Sequence, residues 1–143
     1  MNKEDTFALD DFLPYLLNQA AERAGQAFAQ VYKDKYGISR TEWRIMAHLG
    51  AEDPLTASEI AKRANLDRSK ISRAVFALEE RGWLVRARDA DDRRQEQLSL
   101  TSAGRATYLS LSREAVAHQK SLMRQLGDEN TRALVAALNL LRR

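Results

Sequence analysis

Two four-residue stretches carry the same helix-start signal, and together they constrain the fold more than any other feature of the chain. Ser39-Arg-Thr-Glu42 and Thr56-Ala-Ser-Glu59 both have the hydroxyl-x-x-Glu form of a capping box. In that arrangement the hydroxyl oxygen accepts from a free amide of the first turn, and the glutamate accepts from the amide of the capping residue. The first helix is predicted to run to Leu49-Gly50 and the second only through Ile60, Ala61 and Ala64, which leaves Asn65-Leu66 as a turn. Asp67 can cap the next helix, with Ile71, Val75 and Leu78 turned inward and Gly82 ending it. Two short helices joined by a tight turn are the core of a helix-turn-helix.

Beyond Gly82, Trp83-Leu-Val-Arg-Ala-Arg88 and Gln95-Glu-Gln-Leu-Ser-Leu100 are strand-length segments around the turn-rich Asp89-Ala-Asp-Asp-Arg-Arg94. They predict a β-hairpin with a charged tip. Residues 7–36 place apolar side chains mostly three and four apart, from Leu9, Phe12 and Leu13 to Phe28 and Val31. That spacing predicts an amphipathic helix beginning near Leu13-Pro14 and ending at Gly37. Thr101 or Ser102 can cap a long helix through Leu109, Leu111, Val116 and Leu122, and Gly127-Asp128 divides it from a last helix with Leu134, Leu138 and Leu141. The expected fold class is therefore mainly α with a small β-hairpin wing. A single domain over 1–143 is expected, with residues 39–100 as a winged helix-turn-helix lobe and 7–36 and 102–143 as flanking helices.

A chain of 143 residues, 44% of them hydrophobic, can bury one core. Its longest apolar runs, Phe12 to Leu17 and Ala133 to Leu138, span six residues each. Roughly 18 are needed to cross a bilayer, so no membrane partner is expected. The opening Met-Asn-Lys-Glu-Asp-Thr lacks the apolar stretch of a secretory signal, and the expected location is cytoplasmic. Absence of cysteine excludes disulfides, thiolate metal sites, cysteine nucleophiles and thiol-based redox sensing. With His48 and His118 as the only histidines, no Gly-rich phosphate loop and no Ser/His/Asp elbow, the chain is not expected to be an enzyme or to hold a metal or cofactor.

The net charge of +3 is unevenly spread: residues 62–94 carry ten Lys/Arg against six Asp/Glu, and the remainder 13 against 14. Such a stretch is the footprint of a phosphate-binding surface, the alternative being a solvated charged face. At about 100° per residue, Ser69, Ser72, Arg73 and Phe76 point away from Ile71, Val75 and Leu78, with Lys70 to one side and Arg68 at the helix start. A helix in the major groove needs such donors. Arginine can grip guanine bidentately, while serine, lysine and helix-start amides hold phosphate. On the hairpin, Arg88, Arg93 and Arg94 accompany Asp89, Asp91 and Asp92. An arginine lifted there can enter a narrow minor groove with a carboxylate holding it in position, the alternative being a self-neutralised turn.

The run Arg68-Ser-Lys-Ile-Ser-Arg-Ala-Val-Phe-Ala-Leu-Glu-Glu-Arg-Gly-Trp-Leu-Val85, followed by the acidic and basic tip, resembles the MarR family of bacterial regulators. The family's Asp-x-Arg-x-x-x-x-x-Leu-Thr wing pattern falls on Asp92, Arg94, Leu100 and Thr101, and Trp43 and Leu66 extend the resemblance over nearly the whole chain. It implies a homodimer with interlocked N- and C-terminal helices, binding double-stranded DNA at an inverted-repeat operator and regulating transcription. It further implies that Arg68, Ser69, Lys70, Ser72 and Arg73 belong to the recognition helix and that Arg94 is the wing arginine, supported by Asp92. Where the family often has Asp-Arg, this chain has Phe76-Ala77. Phe76 is expected to pack against the wing, with a thymine methyl as the alternative contact. The resemblance also implies repression relieved by a small aromatic or anionic effector, for which Tyr15, Trp43, Arg44, Met46 and His48 are candidates. For those residues the plainer assignment is core packing and an exposed helix face. A winged module that binds protein instead of DNA would lack the steep salt dependence of phosphate contacts.

Overall fold

The computed structural model describes residues 5–88, 91 and 95–143, so the tip residues Asp89, Asp92, Arg93 and Arg94 lie outside the described residues. The elements run α1 (Leu13–Tyr36), α2 (Arg40–Ala51), β1 (Leu55–Thr56), α3 (Ala57–Ala64), α4 (Arg68–Glu80), β2 (Leu84–Arg88), β3 (Glu96–Leu100), α5 (Ser102–Leu126) and α6 (Asp128–Leu141). The chain forms two compact units, one of Val31–Val116 and one of the residues through Gln30 together with Ala117–Arg143.

In the first of these units the helix starts are closed as their sequences require. Both capping boxes are complete, Ser39 with Glu42 and Thr56 with Glu59. Asp67 caps α4 by accepting from the Lys70 amide at 2.9 Å. Asn65 takes the left-handed conformation at φ 55, which its short polar side chain tolerates, and turns the chain between α3 and α4. Gly82, at φ 76, ends α4. Its amide donates to the Glu79 carbonyl and that of Trp83 to the Leu78 carbonyl, the paired bonds of a Schellman motif.

The core lies where α2, α3 and α4 meet the sheet. Ile45, Met46 and Leu49 pack with Ile60, Ile71, Val75 and Leu78, and all are buried together with Leu55, Leu84 and Leu98. Each such side chain contributes about 1.5–3 kcal/mol when fully buried. The sheet has three antiparallel strands in the order β1-β3-β2, one more than the expected hairpin. Two residues are too few for β1 to show an alternating pattern, yet Leu55 pairs with Leu98 and seats β3 on the core. In β2, Leu84, Arg86 and Arg88 oppose Leu100, Leu98 and Glu96. Leu84 is buried and the two arginines are exposed, so the same face runs out of the core as the hairpin extends.

Three further contacts hold this unit. The Arg81 guanidinium donates to the Tyr36 and Gly37 carbonyls at 2.7 and 2.6 Å and lies 5.1 Å from the Trp83 ring centroid. Thr101 Oγ1 accepts from the Gly104 amide and donates to the Gly82 carbonyl. Gly104 comes so close to Trp83 that a Cβ would lie 2.0 Å from the Trp83 carbonyl oxygen.

In the other unit, His118 Nε2 lies 2.7 Å from the Ala24 carbonyl oxygen and its ring stacks on Phe28. Apolar surface there is largely uncovered. Helix α6 carries Leu134, Val135, Leu138, Leu140 and Leu141 but has no buried residue, and Leu13, Leu16 and Leu17 of α1 are exposed. Among the described residues, no helix is long and apolar enough to cross a membrane.

Candidate nucleic-acid interface

Helix α4 turns Ile71, Ala74, Val75 and Leu78 into the core and leaves Ser69, Ser72, Arg73 and Phe76 exposed on the opposite side. At its start, Ser69 Oγ donates to Asp67 at 2.6 Å. The Ser69 hydroxyl, followed by the Lys70 amide, holds the Asp67 carboxyl below its ordinary pKa. Ser69 has therefore committed its proton locally and offers an acceptor outward. Arg68 donates to Ser58 Oγ on α3. Phe76 is 57% exposed, which corrects the expectation that it packs against the wing. Its place diametrically across the helix from the core decides the matter.

Two hollows flank α4. On one side a cleft of about 240 Å³ separates the helix start from the hairpin, lined by Ser58, Arg68, Ser72, Arg86, Arg88 and Glu96 among others. On the other, a hollow of about 200 Å³ is lined by Ser39, Thr41, Glu42, Lys70, Arg73 and Ala74. The candidate recognition residues are thus divided, Arg68 and Ser72 toward the wing and Lys70 and Arg73 toward the start of α2.

Among the described residues, cations of the stretch 62–94 differ in ways that a charge count cannot separate. Arg63 pairs with Glu52 and Glu59, Arg81 is committed to two carbonyls, and Arg86 is held between Glu79 at 3.2 Å and Glu96 at 3.1 Å. Glu96 first, and then Glu79, raise the pKa of Arg86. By contrast, among the described residues the side chains of Lys70, Arg73 and Arg88 make no ion pair. Their charge is available to phosphate or to base edges.

The candidate effector residues separate further. Tyr15 is half-buried in one unit, while Trp43, Arg44, Met46 and His48 lie on α2 in the other. Met46 has no exposed surface and is a core side chain, a correction to its candidacy as a ligand contact. Its position beside Ile45 on the buried face of α2 is the reason. Arg44 donates to the Ala64 carbonyl at 2.8 Å, at the C-terminal end of α3, where the helix dipole favours a cation. Burial, and then the charge of Arg40, lower its pKa. Burial followed by the charges of Arg44 and Arg63 pushes His48 down. Trp43 stacks on Tyr108 with centroids 6.5 Å apart and lies 6.4 Å from the Tyr32 ring. Gly50 admits Tyr108, since a Cβ there would lie 2.2 Å from its ring. Neither tyrosine is marked by any local motif. The Arg86 bridge had one sequence sign: Glu79 stands in the last turn of α4, where an acid is disfavoured and calls for a cationic neighbour.

The MarR family profile matches residues 36–95. The homoprotocatechuate degradative operon repressor of Escherichia coli is 28% identical over 100 residues, covering 70% of this chain and 67% of that protein. The MarR family transcriptional regulator SPO1453 from Silicibacter pomeroyi DSS-3 is 30% identical, with 96% of this chain and 99% of that one covered and a TM-score of 0.79. The transcriptional repressor CouR, solved bound to a 23-mer DNA duplex, is also 30% identical, with 94% and 95% covered and a TM-score of 0.83. These relatives are regulators of transcription, not enzymes.

Proposed function

The chain belongs to the MarR family of DNA-binding transcriptional regulators, and from that premise we propose that it is a homodimeric repressor that holds an inverted-repeat operator and is released by a small aromatic or anionic effector. The observation that carries the DNA contacts is that Lys70, Arg73 and Arg88, around the outward side of α4 and the wing, make no ion pair among the described residues. Arg73 reads a base edge in the major groove, with Arg68, Lys70 and Ser72 on phosphate around it and the Ser69 oxygen left to accept from a base amino group. Arg88, with Arg93 and Arg94 of the tip and Asp92 beside them, serves the minor groove. Phe76 faces outward with Arg73, toward the methyl groups of thymine.

Two-fold pairing is supported by α6, whose leucines are unburied within the chain and need a partner surface. Half-sites one helical turn apart, about 10 base pairs, follow from that symmetry. Repression is favoured by two relatives that are named repressors. An anionic aromatic effector would draw on Arg44, His48 and Trp43, all carried by α2, and one relative is named as the repressor of a homoprotocatechuate degradative operon.

The test is a titration of purified protein against an operator selected from random duplexes and against a scrambled duplex, at several salt concentrations. Arg73→Ala should weaken operator binding by about 1–3 kcal/mol per half-site and reduce the preference over scrambled DNA. An Arg73→Ala variant as tight and as selective as the wild type would remove the helix from the base-reading role.

A further inference from the structure

Arg86 sits where the hairpin leaves the core. Its strand partner Leu98 is buried, whereas Arg88 and Glu96, the next pair outward on the same face, are exposed. From this point its guanidinium reaches two elements at once. Nε donates to the Glu79 carboxylate in the last turn of α4, at 3.2 and 3.3 Å, and one terminal nitrogen donates to Glu96 Oε2 of β3 at 3.1 Å. The planar fork of arginine can span two carboxylates in this way, which a lysine ammonium on its single flexible stem matches poorly.

Of the two acids, Glu79 stands where an acid is unfavourable, whereas Glu96 stands among cations. Glu79 faces the negative end of the α4 dipole, with no basic residue in that last turn, and Glu96 lines the cleft that also holds Arg68 and Arg88. On a surface that meets phosphate, two uncompensated carboxylates would repel the ligand. Arg86 offsets both charges and joins the recognition helix to the wing.

We infer that Arg86 is a positioning residue for DNA binding, clamping the hairpin onto the C-terminal turn of α4 through Glu79 and Glu96 so that the wing cations are presented at a set distance from the recognition helix. This rests on the proposed use of α4 and the wing on DNA. Arg86 itself is spent on protein carboxylates. The clamp is exposed enough that it adds little to global stability, and its effect is on where the wing stands.

The acids provide a test of opposite signs. Glu79→Gln with Glu96→Gln removes two negative charges from the DNA-facing side. If Arg86 were a phosphate contact, or if the acids were bystanders, the double variant would bind operator more tightly or equally. If the clamp positions the wing, binding should instead weaken roughly fivefold to tenfold, a loss on the scale of measured ion-pair couplings. The salt dependence should keep its slope, because no phosphate contact has been deleted. Arg86→Lys, which keeps the charge but not the fork, should fall short of wild-type affinity.

In the free protein, amide hydrogen exchange of Val85–Ala87 and Gln97–Ser99 should quicken in the double variant while α2 and α3 keep their protection and the melting temperature stays within a few degrees. Unaltered hairpin exchange, or operator binding as tight as wild type, overturns the clamp. Failure of the wild type to bind any duplex would overturn the DNA reading instead, and the exchange measurement would still judge the clamp.

Discussion

At the scale of single residues, the same residue type performs unlike tasks according to what lies across from it. Arg81 and Arg73 are both arginines of the basic stretch, but one is held by two backbone carbonyls and the other is without an ion-pair partner among the described residues. Gly104 illustrates how packing overrides propensity. In a helix such as α5, Gly→Ala alone would stabilise by about 1 kcal/mol. A Cβ 2.0 Å from the Trp83 carbonyl oxygen cannot be accommodated without moving backbone, so Gly104→Ala should instead destabilise by about 1–3 kcal/mol in urea unfolding. A variant more stable than wild type would show that the helix and the turn shift apart freely. Phe76 supplies the converse case. Because its ring is already exposed, Phe76→Ala should leave the melting temperature of the free protein nearly unchanged, while abolishing preference for thymine over uracil at operator positions. A thymine preference that survives the substitution would place the ring away from the groove.

At the scale of elements, α4 depends on a charged cap whose effect varies with pH. The carboxyl of Asp67 is held below its ordinary pKa, chiefly by the Ser69 hydroxyl and then by the Lys70 amide. A depressed carboxyl contributes stability that is fully present above its unfolded value, about pH 4, and is lost as the pH falls through the lower folded value. Asp67→Asn keeps a capping oxygen but no charge. The wild type should therefore melt higher than Asp67→Asn near neutrality, and the two should converge in acid below about pH 4. Melting curves of both proteins across that range decide it, and a gap that stays constant into strong acid would mean that charge is not what Asp67 adds. The wing is likewise anchored from outside its own hairpin, by β1 through Leu55 and Leu98 and by the Thr101 bridge from Gly82 to Gly104. The Leu-Thr end of the family wing pattern thus contributes to holding the hairpin's base rather than to reading DNA.

At the scale of the whole molecule, the question is how the uncovered apolar surface is satisfied. The leucines of α6 and of the start of α1 are exposed in the chain taken alone, and a second copy is the partner that the proposed two-fold operator requires. Leu134→Glu with Leu138→Glu should convert a sedimenting dimer into a monomer. Binding to the full inverted repeat should then drop to the level of an isolated half-site, since the two lobes no longer act together. Dimers that persist with both substitutions would move the interface off this helix.

The features legible in the sequence are those whose cause lies within a turn or two of helix. The capping residues Ser39, Thr56 and Asp67, the turn at Asn65, the stop at Gly82 and the inward positions Ile71, Val75 and Leu78 all obey rules of short range, which is why the helix-turn-helix is legible in the sequence. The outward arc of α4 followed from the same periodicity. What only the tertiary structure decided are contacts between residues far apart in the chain: Arg81 on the carbonyl of Tyr36, Tyr108 on Trp43, Gly104 against Trp83, and β1 on β3. Such contacts leave no local pattern, because nothing at one end of the pair dictates the other. The sorting of the basic stretch belongs to this class. Sequence determined that ten cations lie between residues 62 and 94, but whether each is neutralised depends on which carboxylates or carbonyls the fold brings within about 4 Å, the range at which an ion pair forms.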